Sequence, residues 1–119
     1  MNSNNFKPGD ILRATHRELR KGYHPIVYIS GYSDFEFVGA MLTHHDDPAR
    51  NVKMDSVFFQ KKVGYANTYL VTGKFMKPED WGPFTKINQL TDDGLNFVSE
   101  IINDQPLESF STYFRRNIE

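Results

Sequence analysis

The hydrophobic pattern of this 119-residue chain changes period near Leu90, and that change limits the folds open to it. Upstream, apolar residues come in short runs such as Ile26-Val27-Tyr28-Ile29 and Phe35-Glu36-Phe37-Val38-Gly39-Ala40-Met41-Leu42-Thr43. These runs are rich in β-branched and aromatic side chains and are broken by turn residues, which is the spacing of short strands. Downstream, Leu95, Val98, Ile101 and Ile102 recur at helical spacing. Strands come first and a helix comes last.

The turn chemistry sets the expected boundaries. Lys7-Pro8-Gly9-Asp10 launches a first strand, Ile11 to about His16, and a basic loop runs on to Gly22. Pro25 is tolerated where a second strand begins, because a missing N–H costs least there. A third strand ends at Thr43, and His44 to Asn51 reads as a loop. Further strands are expected around Lys53 to Gln60 and Thr68 to Phe75, with Gly64 between them. Lys77 to Phe84 holds Pro78, Gly82 and Pro83 and breaks regular structure; Trp81, within it, is expected to lid one end of the core. Thr91 is placed as a helix N-cap with Asp92 and Asp93 in the first turn, and Leu90 and Leu95 as a hydrophobic staple. Pro106 ends that helix or starts another, and Leu107 to Arg116 reads as a short amphipathic tail. The expectation is one mainly β domain over residues 1–119, with about five strands. A small bent antiparallel barrel would span about 6–88, and a C-terminal helical part about 91–116.

Composition bounds the function. Hydrophobic residues make up 39% and charged residues 24%, a soluble globular profile, and the 14% of aromatics favours a β-rich core. No apolar run approaches the roughly 20 residues of a membrane span. Met1 to Asp10 lacks a signal-peptide core, so a cytoplasmic protein without membrane contact is expected. Zero cysteines exclude disulfides, thiol catalysis and cysteine-held zinc. A net charge of −1 argues against a general coat for nucleic acid, yet charge is segregated. Arg13, Arg17, Arg20 and Lys21 cluster with His16 against the single acid Glu18.

The signatures of cofactor chemistry are missing. There is no Gly-x-Ser-x-Gly elbow, and Gly9, Gly22, Gly31 and Gly39 are too scattered for a phosphate-binding loop. No cofactor is expected. His44, His45 and Asp47 invite a metal-dependent hydrolase, but neighbours on an extended chain face opposite ways and the spacing matches no ligand motif, so no metal ligands are assigned. His24 and Thr43 fit another chemistry. RNA can be cut without metal when its 2′-hydroxyl attacks the adjacent phosphorus, which needs a group exchanging protons near neutral pH and donors for the phosphate oxygens. An imidazole supplies the first, so His24 and Thr43 are the candidate catalytic pair, with Arg17, Arg20 and Lys21 as RNA-backbone contacts.

Lys7-Pro8-Gly9-Asp10-Ile11, the basic loop, and Gly22-Tyr23-His24-Pro25-Ile26-Val27-Tyr28-Ile29-Ser30 together resemble the opening of MazF/PemK-like toxins. Those begin with a Gly-Asp strand, a flexible loop and a Gly-x-Arg-Pro-hydrophobic-Ser segment. The layout is similar over about residues 6 to 102, while recognisable motif is confined to 9–10 and 22–30. The resemblance implies a bent SH3-like barrel, usually homodimeric, that cleaves single-stranded RNA without metal and is silenced by an antitoxin protein. In that family the Arg before the Pro and a Thr closing the third strand are the catalytic pair. Thr43 matches in position, whereas His24 stands where the family has Arg. Arg is a permanent forked cation and His is not. Three outcomes stay open: His24 acts as acid or base, Arg17 or Arg20 supplies the cation, or catalysis is lost. From a different class, a catalytically silent SH3-like barrel would bind a protein or peptide through Tyr23, Tyr28, Tyr32 and Trp81.

Overall fold

The computed structural model describes residues 6–13, 25–32, 36–44, 46–47, 49–78 and 84–109. Within it, the Lys7–Asp10 turn is tied to the rest of the chain from two sides. Gly9 has φ of 95°, a conformation that costs little only for glycine. Its N–H donates to the Tyr28 carbonyl and its carbonyl accepts from the Leu90 N–H, both at 2.8 Å. A β-carbon at Gly9 would lie 3.7 Å from Leu95 Cδ2 and 3.9 Å from Leu90 Cβ, so both staple residues close on this turn.

The strands are β1 (Asp10–Arg13), β2 (Ile26–Gly31), β3 (Glu36–Thr43), β4 (Asn51–Met54), β5 (Thr68–Val71), β6 (Lys74–Pro78), β7 (Thr85–Gln89) and β8 (Leu107–Ser109). The helix α1 spans Asp92–Ile102. The protein is mainly β. Six strands run in the order β4-β5-β3-β2-β1-β7, every neighbouring pair antiparallel, while β6 pairs with β3 and with β8. The chain leaving β4 then returns to the far end of this order. Phe59 bridges Leu90, and the Gln60 N–H donates to the Gln89 carbonyl at 2.8 Å. The buried Asn88 adds two bonds to the Lys61 backbone, one accepted and one donated.

Period-two alternation sends neighbours to two faces, and both are buried. Ile11, Val27, Ala40 and Leu42 join Phe59, Leu70, Leu90, Val98 and Ile102 in a cluster under the helix. Leu12, Ile26, Tyr28, Phe37 and Met41 form a second cluster, covered in part by Phe6 and Phe84. A sheet buried on both faces explains why these strands read as nearly continuous apolar runs.

Thr91 caps α1 as its chemistry demands, its hydroxyl accepting the Gly94 N–H at 3.1 Å. Val98 and Ile102 are buried, with Leu95 and Ile101 half-buried beside them, so the expected apolar stripe is the packed one. The helix seats on a short 3₁₀ turn, Ser56–Phe58, where the Phe58 and Phe97 rings meet at 4.8 Å.

Four expectations are corrected. The strand expected over Lys53 to Gln60 stops at Met54, because the Asp55 carboxylate accepts the Val57 N–H at 3.1 Å and starts the 3₁₀ turn. The strand expected over Thr68 to Phe75 is two, β5 and β6, divided at Thr72-Gly73. Leu42 faces Leu70 while Gly39 faces Phe75, so three steps along β3 match five along the partner and the ladder bends. Strand β7 was not expected, since Ile87 is its one apolar residue; it forms by adding to the edge of β1. The tail expected to be helical to Arg116 starts instead as β8, parallel to β6, and residues beyond Ser109 lie outside the described region. Trp81 also lies outside it. Among the described residues no helix is long and apolar enough to cross a membrane.

Candidate functional site

Antiparallel pairing brings the C-terminal ends of β1 and β3 beside the N-terminal ends of β2 and β5. A partly open cavity of about 210 Å³ lies there, lined by Arg13, Pro25, Thr43, His44, Tyr65 and Thr68, with Leu42, Gly64 and Ile87 completing the wall. It is smaller than the roughly 300–1,000 Å³ that enclose a drug-sized ligand.

Each polar group arrives by a different route. Arg13 is the last residue of β1 and is exposed. Thr43 closes β3, as expected, and is 7% exposed, so it forms floor rather than rim. The chain bends at His44, directly after the strand, which lets two sequence neighbours line one cavity although on a strand they would face opposite ways. The His44 Nδ1 lies 3.0 Å from the Asn67 carbonyl oxygen. A carbonyl only accepts, so Nδ1 carries the proton. Tyr65 follows Gly64, whose φ is 88°, and stacks on the fully buried Phe59 with centroids 4.5 Å apart. The Thr68 hydroxyl is buried and has no hydrogen-bond partner among the described residues. Among the described residues, one cation, one imidazole, two hydroxyls and a phenol share the wall, and no carboxylate lines it.

Of the residues singled out in the sequence, Thr43 lies in this cavity. His24, Arg17, Arg20 and Lys21 lie outside the described residues, as do Tyr23 and His45. Pro25, which directly follows His24, lines the cavity beside Thr43. The metal set finds no support in Asp47. Its carboxylate accepts from Arg50 Nε at 2.9 Å and from the Ala49 N–H at 3.1 Å, which caps a turn. Among the described residues no group of three His, Asp or Glu side chains could hold a metal ion. The peptide-docking surface loses one member, because Tyr28 is buried between Phe6 and Phe37, its ring 5.1 Å from that of Phe37; Tyr32 is exposed.

Sequence reasoning missed Tyr65 and Thr68, and weighed His44 only as a metal ligand and Arg13 only within a basic run. Its one available signal was the adjacency of His44 to Thr43. Compared with known proteins, the chain matches no family model and no curated sequence.

Proposed function

We propose that this chain is a MazF/PemK-like barrel that binds single-stranded RNA and cleaves it without a metal ion. The observation that carries this reading is the cavity shared by Thr43, Pro25 and Arg13, because it brings the end of the third strand beside the residue after His24. Metal-free cleavage at the 2′-hydroxyl needs hydroxyl and cationic donors around one phosphate and an imidazole within reach. Thr43 and His24 sit at the scissile phosphate in this reading, with Arg17, Arg20 and Lys21 along the backbone. The SH3-like form is supported by the bulge between Tyr28 and Ser30 in the β2–β3 ladder and by the Phe59–Leu90 bridge that joins the two ends of the strand order. A cytoplasmic homodimer, silenced by an antitoxin protein lying in the same groove, completes the proposal.

The test is incubation of end-labelled single-stranded RNA with the protein in EDTA, repeated with Thr43→Ala and His24→Ala. Cutting in EDTA that both substitutions reduce by at least about 100-fold supports the reading. Cutting that EDTA stops, or no cutting at all, overturns it, and the second result returns the case to a peptide-binding barrel.

A further inference from the structure

The imidazole of His44 stands in the cavity with its tautomer set by the backbone. The Asn67 carbonyl takes the Nδ1 proton of His44, so in the neutral ring the lone pair is on Nε2, across the ring from that bond. Among the described residues Nε2 makes no hydrogen bond. A backbone carbonyl on one nitrogen is how working histidines are commonly oriented for proton transfer through the other. Thr43 precedes His44 and Arg13 faces the same space, so a phosphate and a neighbouring hydroxyl held in the cavity would meet all three.

We infer that His44 is the proton-transfer group of the cleavage reaction, an inference that rests on the RNA-cleaving reading above. Nε2 accepts the 2′-hydroxyl proton as O2′ forms its bond to phosphorus and the bond from phosphorus to O5′ breaks. The products are a 2′,3′-cyclic phosphate and a 5′-hydroxyl. The departing O5′ takes a proton from solvent, and the His44 imidazolium returns its proton to solvent, so atoms and charge balance. Arg13 faces the phosphate oxygens. His24 then holds the scissile phosphate instead of acting as the base, so His24→Ala still lowers cleavage, as the reading above requires, but added imidazole does not restore it.

The experiment measures steady-state cleavage of single-stranded RNA in EDTA by the wild type, His44→Ala and His24→Ala, with and without added imidazole. His44 is exposed, so its substitution leaves the thermal midpoint in place. The expected result is a fall in kcat of about 10²–10⁴-fold for His44→Ala, partly restored by imidazole. KM changes by less than about twofold, because the lost interaction belongs to the transition state. Wild-type rates in His44→Ala overturn the assignment and leave the cleavage reading standing. So does a rise in KM that imidazole does not relieve, which would make His44 a phosphate contact. A wild type that does not cleave removes both.

Discussion

Gly94 of α1 stands directly over the Phe58 carbonyl: a β-carbon at Gly94 would lie 2.5 Å from that oxygen and 2.9 Å from Phe58 Cβ. The same carbonyl accepts the Thr91 N–H at 2.8 Å, so the helix start and the 3₁₀ turn share one contact point. Helix propensity alone makes Gly94→Ala stabilising by about 1 kcal/mol. The backbone contact reverses the sign. Gly94→Ala is expected to destabilise by about 1–3 kcal/mol, as overpacking does, read from the urea midpoint at unchanged slope. A midpoint that rises would show that the helix is not seated on Phe58.

Asp10 is 2% exposed and its carboxylate accepts the Lys7 N–H at 2.9 Å while Oδ1 pairs with Lys86 Nζ at 3.1 Å. The Lys86 side chain is 45% exposed. Removing the lysine strands a buried charge, whereas an arginine in its place keeps a cation opposite the carboxylate. Lys86→Ala is therefore expected to cost more than Lys86→Arg, by about 1–3 kcal/mol in chemical denaturation. Equal costs would reduce the pair to an ordinary surface contact.

Thr68 carries a buried hydroxyl without a partner among the described residues, which is a standing cost. Thr68→Val keeps the shape and removes that oxygen. It is expected to leave stability unchanged or raise it by up to about 1 kcal/mol, seen as an equal or higher thermal midpoint. A clear loss would mean that the hydroxyl is satisfied by water in the cavity.

Arg13 brings a fixed positive charge to the cavity wall. For a 2′-deoxy oligonucleotide, which binds without being cut, Arg13→Ala is expected to weaken association and lower the slope of log affinity against log salt by about 1. Fluorescence anisotropy over a salt series measures this. An unchanged slope would show that the cation does not contact phosphate.

The Gly9 turn, the second and third strands and the capped helix were all legible in the sequence, because each rests on local rules. A positive φ needs glycine, alternating runs favour strands, and Thr91 caps whatever helix follows it. Strand β7 was not legible, because Thr85-Lys86-Ile87-Asn88-Gln89 lacks a buried stripe and becomes a strand only by adding to the edge of β1. Leu107–Ser109 likewise becomes a strand only beside β6. Thr43 was readable as a strand end, but nothing in the spacing of residues 13, 44, 65 and 68 announces a common wall.

By itself, then, the order of residues determined the second and third strands and the capped helix that begins after Leu90, since turn chemistry and hydrophobic period act over a few neighbours. Tertiary structure alone decided that Arg13, Thr43, His44 and Tyr65 face one cavity. Strand pairing joins residues dozens of positions apart, and its register depends on bulges and on both faces of the sheet being buried, neither of which a local pattern encodes.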